Sequence, residues 1–231
     1  MNLSKRSIKA ELMDDPSVLQ TDVNTALIEL EFINKYLGGN KLLVNALPKA
    51  GFTSGSTIMD LGCGSGDMLR IISMYAAKRR LSSLKLYGVD INPSMTSFAE
   101  SRSLLFPDIK YVTCNIWDDK LLEYSPDIVI NSLFCHHFDT EELTELIKRM
   151  YKLANKSIII NDLHRHWFAY YAIKYLTSLF SKSYLVKYDG PLSVARALTK
   201  TEWIKVLEKA GVTNYQISWK WAWRWQIIIK K

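Results

Sequence analysis

Two hydrophobic rhythms divide the chain. In the first fifty residues, apolar positions recur every three or four: Val23, Ala26, Leu27, Leu30, Ile33 and Leu37 fall on one helical face. Gly38-Gly39 ends that helix, and a shorter one over 41–47 stops at Pro48. No strand pattern occurs here, so residues 1–52 are expected to form an N-terminal helical cap. Residues 1–20 read as polar and irregular, with a turn at Asp14-Asp15-Pro16.

Beyond Thr57 the rhythm changes. Short apolar runs at 58–61, 84–89, 110–114, 128–131 and 157–161 alternate with amphipathic segments, among them Met68, Leu69, Ile71, Ile72 and Tyr75, and a helix opening on Pro93. Such alternation predicts an α/β fold with a parallel sheet covered on both faces and right-handed crossovers. Residues 212–219 and 223–229 read as two more strands. So short a connection between them requires antiparallel pairing. Residues 53–231 are therefore expected to form a doubly wound seven-stranded sheet whose last strand is antiparallel. Residues 163–200 interrupt the pattern with a very apolar helix over 167–180, a loop over 181–191 containing Asp189-Gly190-Pro191, and a short helix over 192–198. An insertion at the carboxyl ends of the strands overlies the ligand crevice, so this one is read as a lid; a plain core helix is the alternative.

Composition narrows the picture. With 48% hydrophobic residues the chain has material for a full core, which excludes wholesale disorder. Cys63, Cys114 and Cys135 are odd in number and widely spaced, which speaks against a disulfide scaffold or a zinc knuckle and fits reduced thiols in a cytoplasmic protein. No signal peptide and no bilayer-spanning run are visible. The net charge of +7 is scattered in small groups, as on a solvated surface, rather than gathered into a nucleic-acid footprint.

The candidate chemistry starts at residues 57–66, which read T-I-M-D-L-G-C-G-S-G. A strand runs through Asp60 into Gly62, Gly64 and Gly66, and a helix follows. Glycines let a ligand approach the main chain, and the N–H groups of the next helix attract its polar atoms. Asp90 ends the second strand, 24 positions beyond Gly66. The dinucleotide fingerprint of dehydrogenases needs a third glycine three residues after the second; Asp67 stands there.

The segments D-L-G-C-G-S-G and Y-G-V-D, with the terminal hairpin, resemble the class I S-adenosylmethionine-dependent methyltransferases over about 57–229. N-S-L-F-C-H-H-F at 131–138 and I-N-D-L at 160–163 resemble the small-molecule branch related to quinone and polyketide (phenol) O-methyltransferases, as does the cap ending in N-K-Y-L-G-G. The resemblance implies a Rossmann-like fold with S-adenosylmethionine as cofactor. It also implies roles for Gly62, Cys63, Gly64 and Gly66 under the methionine and ribose, and for Asp60 near the methionyl amino group. Asp90 would take the ribose hydroxyls, Ile91 and Ile116 would flank adenine, and Asn131 would join the site. Asn115 would accept from the adenine amino group where the family commonly has Asp.

All four histidines fall after two strands: His136-His137, and His164 with His166. Three readings stand: general base, metal ligands with Asp162, or satisfied loop residues. A neutral histidine suits deprotonation of a phenol, so His137 is the first choice of base and His164 the second. Asp162 would orient one of them, His136 completes the set, and no metal is assigned. Arg165 would hold an acidic substrate or face solvent. The expected acceptor is a phenolic, quinone-like or polyketide-derived small molecule of secondary metabolism, flat or lipophilic, taken by a monomer or homodimer. The rival is RNA methylation, drawn from Trp219, Trp221, Trp223 and Trp225 interleaved with Lys220 and Arg224. Peripheral membrane contact through 167–180 is a lesser alternative.

Overall fold

The computed structural model describes residues 3–231, so the first two residues of the expected cap lie outside it. The strands are β1 (Thr57–Leu61), β2 (Lys85–Asp90), β3 (Ile109–Thr113), β4 (Ile128–Ser132), β5 (Ser157–Leu163), β6 (Tyr215–Lys220) and β7 (Arg224–Lys230). They form one sheet in the order β3-β2-β1-β4-β5-β7-β6. β7 runs antiparallel to both of its neighbours, β5 and β6. The expected fold is present: a doubly wound, Rossmann-like seven-stranded sheet whose last strand is antiparallel. β7 is an inner strand, which explains why six of its seven residues are buried.

The apolar runs sort by their period of two. Met59, Ile158, Ile160, Ile227 and Ile229 face a layer made by α5 (Thr140–Leu153) and α8 (Lys200–Lys209), with Trp203 at its centre. Ile58, Ile159 and Ile228 point the other way, toward α2 (Gly39–Ala46) and α3 (Asp67–Lys78). Asp139 and Thr199 start α5 and α8 with capping boxes closed by Glu142 and Glu202. A third cluster joins α1 (Gln20–Tyr36) through Val23, Ala26 and Leu27 to Met95 of α4 (Pro93–Arg102) and to Leu185 and Val186.

Two stretches differ from the sequence expectation. After α6 (Trp167–Phe180), the loop expected over 181–191 is instead part of a helix, α7 (Tyr184–Arg196), running through Gly190-Pro191. Proline removes one intrahelical bond; tertiary contacts outweigh that loss. Asp189 accepts from the backbone N–H groups of Leu12 and Met13. A Cβ on Gly190 would meet Ile173 of α6 at 3.4 Å, an ordinary van der Waals contact, so α6 and α7 lie close together here. The polar stretch before α1 is also ordered, as a strap over α7. Arg6 donates to the carbonyls of Arg196 and Phe138, and Arg196 donates to that of Lys9. Its charged side chains, which made it read as irregular, are its fastenings.

Candidate active site

Strand order reverses between β1 and β4, so the loops after them part and leave a crevice. A cavity of about 890 Å³ opens there, roofed by α1, α6, α7 and the strap. The three glycines of the first loop meet different surroundings. A Cβ on Gly62 would lie 2.5 Å from the Phe134 ring, and one on Gly66 would lie 2.0 Å from the Tyr111 hydroxyl oxygen. Only Gly64 turns toward open space, with Leu27 at 3.9 Å. Close approach of a ligand to the backbone is therefore available at Gly64, while the other two glycines make room for aromatic neighbours. Gly62, Cys63, Asp60, Asp90 and Ile91 line the cavity together with Gly64.

At this end the cavity is electrostatically unbalanced. Burial, followed by the neighbouring charges of Asp67 and Asp90, pushes the Asp60 carboxyl well above its usual range. Burial, followed by Glu31, raises Asp67 to about 6, and burial also raises Asp90. Asp90 accepts from the backbone N–H of Gly64 at 3.1 Å and of Asn92 at 3.0 Å, which fixes its carboxylate beside the loop. Asp60 Oδ1, Asn34 Oδ1, Ser132 Oγ, and Nε and Nη1 of Arg224 are buried without a hydrogen-bond partner, and all four residues line this cavity. Burial depresses the Arg224 guanidinium to about 10, despite the pull of Asp162 and Asp67. Buried polar atoms are normally paired. These unpaired groups gather behind the charge-rich end of the cavity, with Asn34 Oδ1 and Arg224 Nη1 both packed against Gly39. Asn34 is not singled out as a site residue by the sequence, and Arg224 enters there only as a basic neighbour of the tryptophans in the RNA reading; a charged residue opening a mostly apolar inner strand is the one signal that marks Arg224.

The histidine pair forms the other end. Leu133 has a positive φ of 56°, and a short 3₁₀ turn over Cys135–His137 follows it after β4. His136 Nδ1 lies 2.7 Å from Asp162 Oδ1, and Asp162 also accepts from the His136 backbone N–H. His136 Nε2 faces Glu11 Oε1 at 3.5 Å. Burial opposes a charge on His136, but Asp162 and Glu11 outweigh it and hold the ring well above the usual histidine range. In the same way burial would raise Glu11, yet His136 and His137 bring it down to about 2. His137 lines the cavity with Nδ1 at 3.2 Å from Asp14 and Nε2 at 3.7 Å from Glu11. Glu11 arrives on the strap, whose lack of periodicity hid it from sequence reasoning.

Other expected site residues lie elsewhere. Asp162 sits behind His136, outside the cavity lining. The His164 backbone N–H bonds to the Trp223 carbonyl, and the residue bridges to Leu198; its ring packs on Trp225 at 4.8 Å, away from the cavity. Asn115 is spent on an N–H of its own turn, at Trp117, and Ile116 is a core residue. Asn131 donates to the Leu61 carbonyl and accepts from the Cys135 thiol, tying β4 to β1. Arg165 neither faces solvent nor reaches the cavity: it is buried on Glu202 and on the carbonyls of Ala197 and Leu3. Glu11, His136 and His137 are the one group among the described residues with three metal-capable atoms within 4.8 Å of one another.

Residues 58–157 match a family model described as a methyltransferase domain. No curated protein matches the chain in sequence. Among solved structures, the fold is similar to that of a SAM-dependent methyltransferase from Aquifex aeolicus, with TM-score 0.58 and 16% identity over 86% of this chain and 96% of that one. It is similar to human N-acetylserotonin methyltransferase in complex with SAM, with TM-score 0.66 and 18% identity over 92% of this chain and 56% of that one. It is also similar to magnesium protoporphyrin IX methyltransferase from Synechocystis with bound SAH, with TM-score 0.56 and 19% identity over 87% of each chain.

Proposed function

We propose that the chain is an S-adenosylmethionine-dependent methyltransferase that methylates a hydroxyl of a flat, lipophilic small molecule, phenolic, quinone-like or polyketide-derived. The observation that carries this reading is the pairing of a charge-rich end of the cavity with an apolar end that terminates in two histidines. The walls between are Phe134, Phe168, Ile173, Leu176, Val186 and Trp223, which suit a flat or aliphatic body. Human N-acetylserotonin methyltransferase, similar in fold, is named for a small-molecule acceptor.

The cofactor, when bound, supplies an electrophilic methyl group on a sulfonium. The remaining work falls to side chains. Asp90 beside Gly64 accepts from ribose hydroxyls, Asp60 and Asn34 face the ammonium, and Arg224 faces the carboxylate. At the acceptor end, His137 takes the hydroxyl proton at Nε2, with Asp14 on Nδ1 to stabilise the charge it gains. His136 is already charged, so it is no base. It is a fixed donor, clamped between Asp162 and Glu11, that sets the position of the turn carrying His137. Exclusion of water by α1, α6, α7 and the strap keeps the displacement from being diverted to hydrolysis. His164 lies too far round β5 to share this task. No step here uses a metal.

The test is transfer of a labelled methyl group from the cofactor to a panel of phenols, hydroquinones and hydroxylated polyketides, with RNA and peptide controls. Labelled phenol ethers are expected. Label in RNA alone would overturn the proposal.

A further inference from the structure

We infer that the outer face of α6, with the tip of the β6–β7 hairpin, docks on an anionic bilayer, and that the acceptor enters from it as an amphiphile with a hydroxylated ring and an apolar tail. The second half of this inference rests on the proposed hydroxyl-methylating function; the first does not.

α6 is apolar nearly all round, yet it buries only Ala169 and Thr177. Its outward residues include Trp167, Tyr175, Leu179 and Phe180, which are 62 to 78% exposed and line no part of the cavity. Single exposed apolar residues are ordinary; these are continuous. Trp167 touches Phe168, Phe168 stacks on Trp223 at 4.7 Å, and Trp223 meets the exposed Trp221 at 4.7 Å and Trp219 at 6.4 Å. A contiguous apolar patch of this kind marks an interaction surface.

Charge identifies the occupant. From residue 163 to 188 the chain carries Arg165, Lys174, Lys182 and Lys187 and not one acidic residue. Lys174, Lys182 and Lys187 are exposed. Two acids from α1 approach this stretch: Glu29, held in the α6–α7 turn by the N–H groups of Lys182 and Ser183 and by the Ser181 hydroxyl, and Asp22, which accepts from the Tyr184 hydroxyl. Aromatic rings flanked by lysines are the composition of a helix that lies in the plane of a membrane surface, with the lysines reaching anionic headgroups. Among the described residues no helix is long and apolar enough to cross a membrane. Docking in the plane is thus the geometry that remains for α6 at a bilayer.

The same helix is the cavity wall. Its other stripe, Ala169, Ala172, Ile173 and Thr177, lines the interior, and Phe168 and Leu176 are both cavity-lining and exposed. One helix therefore separates the docked surface from the histidines, with a rim of Phe168, Leu176, Trp221 and Trp223 at its edge. A ring lodged at His137 can leave an apolar tail along this rim without exposing it to water.

The test is co-sedimentation of the full chain with phosphatidylglycerol-containing vesicles and with pure phosphatidylcholine vesicles, at low and high salt. Binding to the anionic vesicles, falling with salt, is expected. The Tyr175→Ser/Leu179→Ser/Phe180→Ser variant should bind about tenfold more weakly. It should methylate a short water-soluble phenol at the wild-type rate but lose turnover of a long-chain phenol presented in vesicles. Absence of vesicle binding, binding unchanged in the variant, or a wild-type dimer that the variant dissociates would each overturn the docking. Should short phenols still be methylated in that case, the proposed function survives without it. Should vesicles be bound but no hydroxyl compound methylated, the docking survives and the amphiphilic acceptor falls.

Discussion

His136 Nδ1 is 2.7 Å from Asp162 Oδ1, and both side chains are sealed from solvent, so Asp162 favours the charged form of the ring, with Glu11 as its second counter-ion. Breaking a buried pair costs more than the pair contributes, because a lone charge stays behind. Glu11→Gln is expected to lower stability by about 3 kcal/mol, read by urea denaturation at pH 7. The pH dependence follows from the depressed Glu11 carboxyl. Its contribution is fully present above the unfolded value near 4.5 and is lost as pH falls toward about 2. The wild-type Tm should therefore drop across that window, and the variant's Tm should drop less steeply. Parallel curves would refute the pairing.

His137 is the one histidine that both lines the cavity and keeps Nε2 beyond hydrogen-bond reach of Glu11. His137→Ala should reduce kcat by about 10²- to 10⁴-fold, while cofactor affinity measured by calorimetry stays unchanged. A chelator should leave wild-type turnover intact, since the clamped His136 cation already balances the carboxylates. Equal loss of cofactor binding would move His137 out of the acceptor site.

Arg224 is a buried cavity-lining residue whose Nε and Nη1 have no hydrogen-bond partner. Hydrogen bonds to charged groups contribute about 1.5–3 kcal/mol, so Arg224→Met should weaken S-adenosylmethionine binding by one to two orders of magnitude. Binding of an adenosine thioether that lacks the carboxylate should not change. In the absence of cofactor the variant should be as stable as wild type or more so, because an uncompensated buried charge has gone.

Gly62 sits at a φ of 71°, and its missing Cβ would collide with the Phe134 ring at 2.5 Å. Gly62→Ala should cost about 1–3 kcal/mol from overpacking and from backbone strain together. Adding Phe134→Ala should relieve the collision and leave the strain. A double variant no more stable than the sum of the two single changes would show that the contact is not the cause.

Legibility followed periodicity. The sheet could be read because β1, β2, β4, β5 and β7 bury short apolar runs, with β3 and β6 half-buried at its edges, and the glycine loop because its spacing after Asp60 has few other uses. The helix through Gly190-Pro191 could not, since it depends on Asp189 meeting a strap 177 positions away in the chain. Glu11 and the cavity position of Arg224 were hidden for the same reason. Their roles come from burial beside distant partners, and no local pattern encodes that. The histidines show both sides: their clustering was visible, but only the structure separates the clamped His136 from the cavity-facing His137 and the averted His164.

Consider finally the position of β7. It follows β6 in the chain but lies between β6 and β5, so β6 has no neighbour in the sheet until β7 arrives. During synthesis the edge of β5 must stand unpaired while sixty residues, the α6 helix among them, are still being made. Arg224 comes with that same strand. The sheet therefore closes, and Arg224, the proposed carboxylate contact, arrives, in a single late event, and a nascent chain stopped before β7 would present an exposed edge, open to pairing with other chains.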